Sequence, residues 1–121
     1  MRTQIKVLLA LILALSLIGC GTALLTEDMR LANQGYDELL KGNYSDAEGY
    51  LEQALAKNPD NPYAMLNLGV VYENTGRTDQ AREMYKKLIA LNPKARASVT
   101  SEGTGGKPLV EIAQENLQRL Q

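Results

Sequence analysis

The sequence predicts an all-α chain, two helical hairpins of equal length stacked side by side and closed by one more helix into a short solenoid. Three observations carry that prediction. Apolar and small residues recur at helical spacing from Glu27 to Leu91. The breaks in that pattern come in pairs, Gly42-Asn43 with Gly76-Arg77 and Asn58-Pro59 with Asn92-Pro93. Each pair lies 34 residues apart, as do Asn33 and Asn67, Gly35 and Gly69, Ala47 and Ala81, and Ala56 and Ala90. A fixed period of this length marks a repeat array, in which a unit buries its apolar face only against its neighbour.

The first unit spans about 28–61. Apolar and small residues recur at Leu31, Gln34-Gly35, Leu39 and Leu40 along its first helix, and Gly42-Asn43 ends it. Ser45-Asp46-Ala47-Glu48 has the form of a capping box. It predicts that the Ser45 oxygen and the Glu48 carboxylate satisfy free amides at the start of the next helix. That helix carries Ala47, Leu51, Ala54 and Leu55 on one face. It stops at Asn58, because a residue before proline is pushed out of helical geometry.

The second unit spans about 62–95. Asp60 or Asn61 is expected to cap its first helix, with Pro62 at the first helical position, where a missing amide donor costs nothing. Met65, Leu68, Gly69 and Tyr72 form the packing face. Thr78 is expected to cap the following helix, whose Ala81, Tyr85, Leu88 and Ile89 face back. Glycine inside a helix costs about 1 kcal/mol against alanine, so its recurrence at 35 and 69 asks for a close approach of helices. Residues 96–107 are a loop by composition. Pro108 is expected to open a last helix, 108–121, with Leu109, Ile112, Ala113, Leu117 and Leu120 on one face. Leu109, Ile112 and Ala113 have the spacing of a repeat's first helix, ten residues later than an uninterrupted third repeat would put them. This helix is expected to cap the apolar edge of the second unit.

Leu68, Gly69, Tyr72, Ala81, Tyr85 and Pro93 together resemble the skeleton of a tetratricopeptide repeat, strongly in 62–95 and more weakly in 28–61. The resemblance implies a scaffold whose first helices line a partner-binding surface. On those helices Met29, Ala32, Asn33, Tyr36 and Leu40 form one stripe, and Tyr63, Leu66, Asn67, Val70 and Asn74 the matching one. Mixed apolar, aromatic and amide stripes suit a groove that holds an extended segment or a helix. The lysine and arginine set with which some family members grip a carboxylate tail is missing from them.

The first nineteen residues read as a signal peptide. Arg2 and Lys6 supply a basic start, and Val7 to Ile18 is apolar apart from Ser16. That run is short of the roughly 20 residues needed to cross a bilayer. Leu17-Ile18-Gly19-Cys20 resembles the lipobox of bacterial lipoproteins, which implies cleavage before Cys20 and a covalent lipid on its sulfur. An ordinary signal peptide with an incidental cysteine is the alternative. Residues 20–26 would then be a lipidated tether and 27–121 the folded domain. Gly21, rather than an aspartate, after the cysteine resembles an outer-membrane address, so the domain is expected to face the periplasm.

Composition narrows the function class. Thirteen Lys and Arg, less Arg2 and Lys6, leave 11 basic against 14 acidic residues, no footprint for nucleic acid. A single cysteine rules out a disulfide within the chain. With no histidine, and no nucleophile–base or ligand set to name, the sequence points away from an enzyme, a metal and a bound cofactor other than the lipid. The expected partner is another envelope protein or a peptide segment of one, not a small-molecule substrate. A second surface, Arg82, Lys86, Lys87, Lys94 and Arg96, would instead serve a passive envelope protein that meets anionic headgroups or cell-wall polymer.

Overall fold

The computed structural model describes residues 25–98 and 106–121. The expected signal segment, Cys20 and the middle of the 96–107 loop lie outside them. Five helices follow one another among the described residues: α1 Glu27–Leu40, α2 Tyr44–Lys57, α3 Pro62–Asn74, α4 Thr78–Leu91 and α5 Leu109–Arg119. Among the described residues an isolated β-bridge pairs Arg96 with Pro108. Each helix packs against the next, and α1, α3 and α5 also touch in a row. The fold is the all-α repeat array that the 34-residue period predicts.

The repeated glycines show how the hairpins close. A Cβ built at Gly35 would lie 2.5 Å from Leu51 Cγ, and one at Gly69 would lie 2.9 Å from Tyr85 Cδ1. Leu51 and Tyr85 are fully buried and occupy equivalent places on α2 and α4. A large residue on one helix therefore requires a bare backbone on the other. Gly42 and Gly76 recur for a different reason. Their φ values of +78° and +77° are left-handed, and nothing crowds either position, so the turn alone selects glycine. The core joins these contacts to Leu31, Ala47, Ala54, Leu68, Val71, Tyr72, Ala81 and Leu88.

The helix ends depart from expectation at three points. α2 starts at Tyr44 behind Asn43, and no side chain caps it, so the capping box does not form. Glu48 has a stronger claim on it. Its two oxygens accept from Arg77 Nη1 and Nη2 at 2.7 Å, and charge-assisted paired bonds of this kind are stronger than a neutral cap. Thr78 is the first residue of α4 rather than its cap, which falls to Arg77 without a side-chain bond. Pro108 stands just outside α5 as its cap. Asn61 behaves as expected: its side-chain oxygen accepts from the Ala64 amide at 2.9 Å, and Pro62 opens α3.

α5 takes the place that a third repeat's first helix would have. It packs on α4 and α3 as α3 packs on α2 and α1. Leu109 and Ala113 are buried, and Ile112, Leu117 and Leu120 pack at the edge of the same core. The chain reaches it through a short ladder, Ala97 N to Lys107 O at 2.9 Å, Gly106 N to Ala97 O at 3.0 Å and Leu109 N to Ala95 O at 3.0 Å.

Candidate functional site

Because α1, α3 and α5 touch in a row, their outward stripes meet in one groove. Its volume is about 380 Å³, and Met29, Ala32, Asn33 and Tyr36 of α1 form one wall. Tyr63, Leu66 and Asn67 of α3 form the middle, and Leu109 and Ile112 of α5 the far side. Ala97 and Ser98 close one end. Tyr63 holds that end in place, its hydroxyl donating to Arg96 O at 3.1 Å.

Seven of the ten residues expected on the stripes are brought together here: Met29, Ala32, Asn33, Tyr36, Tyr63, Leu66 and Asn67. Three lie off the groove. Leu40 is 68% exposed at the end of α1. Val70 is half-buried beyond the lining. Asn74 turns back on its own helix, donating to Val70 O at 2.8 Å and accepting from Tyr44 Oη at 3.5 Å. The helical stripe continues past the groove because the groove is only as long as α5 and the 95–98 segment make it. Leu66 also differs from expectation. It is only 8% exposed and belongs to the core, so it supports the fold as well as the groove floor.

Sequence reasoning missed Ala97, Ser98, Leu109 and Ile112. Leu109 and Ile112 already stood out as apolar residues at the spacing of a repeat's first helix, and that spacing could have placed them on the groove. Ala97 and Ser98 gave no such signal, since only the ladder with 106–109 carries them to the rim.

The walls are held by polar contacts at the junction of the repeats. Asp28 accepts from Asn61 Nδ2 at 2.8 Å and from Asn58 Nδ2 at 3.0 Å. Together with the Thr26 hydroxyl, the foremost contributor, these donors hold its carboxyl down to about 2, since each favours the charged form. Asn61 is 1% exposed and fully committed, its oxygen to α3 and its amide to α1. On the opposite side Arg77 pairs with Glu48 and lies 4.5 Å over the Tyr72 ring. At the α5 junction Glu73 accepts from Tyr85 Oη at 3.0 Å and from Arg119 Nη2 at 2.8 Å. Burial, then this bond, pushes the Tyr85 hydroxyl far above the usual phenol range.

The basic cluster is partly neutralised. Arg82 pairs with Asp79 and donates to the Leu120 carbonyl, and Lys87 pairs with Glu83 at 2.9 Å. Arg96 donates to the Gly106 carbonyl. Among the described residues no group of three or more acidic, histidine or cysteine side chains could hold a metal ion, and no helix is long and apolar enough to cross a membrane.

Comparison with known proteins agrees with this architecture. A TPR repeat-containing protein of Methanocaldococcus jannaschii is 36% identical over 55 residues, 46% of this chain and 17% of that one. A tetratricopeptide repeat and J domain-containing co-chaperone of Fusarium oxysporum f. sp. lycopersici is 30% identical over 63 residues, 52% of this chain and 12% of that one. The photosystem I assembly protein Ycf3 of Acaryochloris marina is 32% identical over 65 residues, 51% of this chain and 39% of that one. The chain thus spans well under half the length of each relative. The profile described as tetratricopeptide repeat matches residues 38–99, about half the chain, from the end of α1 through α4. Protein–protein interaction is the function class that this membership carries. The chain belongs to the tetratricopeptide repeat family.

Proposed function

We propose that the protein is a lipid-anchored scaffold of the bacterial cell envelope, facing the periplasm from the outer membrane, that helps assemble an envelope complex. It does so by holding a segment of another protein in the α1–α3–α5 groove. The observation that carries this reading is the convergence of two stripes from equivalent helices on one cavity. Its volume falls at the small end of the roughly 300–1,000 Å³ of ligand sites, which suits the side chains of a short segment. Asn33 and Asn67 stand at equivalent positions on α1 and α3, a helix spacing of about 8–10 Å apart. An extended chain covers that distance in about three residues, so both amides can reach one peptide backbone. Two of the relatives are named as an assembly protein and a co-chaperone, roles that support a holding function. Anchoring rests on the lipobox-like Leu17 to Cys20.

The rival surface, from Arg82 to Arg96, has less behind it, because three of its five cations are already engaged within the fold. Photo-crosslinkers placed at Tyr36 and at Lys86 in the full chain decide between the two. Trapping of a protein from position 36, lost on Asn67→Ala, supports the groove; trapping only from position 86, with loss on reversing Lys86 and Lys87, overturns it. Cys20→Ser should abolish uptake of labelled fatty acid, since serine forms no thioether, and continued labelling would refute the anchor.

A further inference from the structure

We propose that the occupant of the groove is an uncharged, apolar peptide segment, and that the groove discriminates against segments carrying a charge at the point of docking. This rests on the groove being the partner site. Among the described residues, none of the eleven side chains that line it carries a charge at neutral pH, although 22% of the chain is charged. Leu66, Leu109 and Ile112 give it an apolar floor, and Met29, Tyr36 and Tyr63 apolar walls. Met29 and Tyr36 are each 38% exposed, an apolar surface left for something to cover.

Of the neighbouring cations, Arg30 pairs with Glu27 and Lys107 with Glu115, while Arg96 stays outside the lining and donates to the Gly106 carbonyl. A carboxylate or ammonium docked between these walls would lose water and meet no counter-charge among the described lining side chains, a cost that an apolar side chain does not meet. Selection therefore comes as much from what the groove refuses as from what it attracts. Polar recognition is left to Asn33 and Asn67, which suit a peptide backbone and are indifferent to the sign of a charge.

The test uses the full chain in detergent and labelled peptides, acetylated and amidated at their ends, of alternating serine and leucine. Companion peptides carry aspartate or lysine in place of leucine. Anisotropy should show binding of the leucine peptide that weakens in Tyr36→Ala but not in Lys86→Glu. The charged peptides should bind about tenfold more weakly or worse. Asn67→Lys, which places a cation in the lining, should move the preference toward the aspartate peptide. Charged peptides that bind as tightly as the leucine peptide, still dependent on Tyr36, would overturn the apolar selection and leave the groove as the partner site. An unchanged preference in Asn67→Lys would also overturn it. Binding of every peptide that is indifferent to Tyr36 would overturn both the selection and the groove.

Discussion

Between α2 and α3 the chain has only four residues, Asn58 to Asn61; between α4 and α5 it has seventeen, Asn92 to Pro108. The short junction is fixed by its own sequence. Asn58 and Asn61 serve as cap residues and at the same time grip Asp28 across the interface. The long junction cannot be fixed that way, because so many residues allow many placements of the next helix. α5 is instead seated by Leu109 and Ala113 in the core and by a polar link from Arg119 to Glu73, 46 positions apart in sequence. The same helix-on-helix packing is thus reached by local chemistry in one place and by distant contacts in the other. The far wall of the groove depends on the second kind.

Substitutions can break this contrast, beginning with the hairpin that both junctions rest on. Gly69→Leu should be the most damaging, at about 3 kcal/mol, because the added side chain meets the buried Tyr85 ring. Gly35→Leu meets the buried Leu51 side chain and the Ala47 carbonyl oxygen; the aliphatic Leu51 has more rotamers to yield with than a ring tied to Glu73, so this substitution should cost less. Urea unfolding of the two variants measures the difference, and equal losses would mean that ring rigidity is irrelevant.

Asp28→Ala tests the short junction. It strands the buried Asn61 amide, at a cost of about 1–3 kcal/mol. The wild type should show the matching pH dependence. A carboxyl lowered to about 2 in the fold, against about 3.9 unfolded, contributes stability that is present in full above pH 4. That contribution falls as pH drops from about 4 toward 2, where the folded group also takes up its proton. Thermal melts at stepped pH should show a steeper acid loss in wild type than in Asp28→Ala, and parallel curves would contradict the junction chemistry.

Arg119→Ala should have the smallest effect, at most about 1 kcal/mol, since the arginine is largely exposed. Its effect should nevertheless be local. Hydrogen exchange in α5 should quicken while α1 and α2 keep their protection, because the lost bond ties α5 to Glu73 of α3 and touches neither α1 nor α2. Uniform quickening through all five helices would show the junctions to be energetically alike.

Much of this protein follows from its sequence alone. The 34-residue spacing, the paired breaks and the Asn61-Pro62 start determine two helical hairpins and the turns between their helices, because turns and helical period depend on neighbouring residues. The glycine pair at 35 and 69 even announces close contact, though not that Leu51 and Tyr85 are what lie opposite. Sequence reasoning placed seven groove residues for the same reason, as members of two equivalent helical stripes. Tertiary structure decided the rest. Local pattern made Ser45 and Glu48 a capping box, but Arg77, 29 residues away, offers Glu48 a stronger paired bond. Pattern also kept Leu40, Val70 and Asn74 on the stripe, whereas the groove reaches only as far as its third wall. That wall comes from Leu109 and Ile112, carried across by a ladder between 95–97 and 106–109 that no local period encodes. Contacts between residues far apart in sequence are settled by competition among all possible partners, and only the folded chain brings those competitors together.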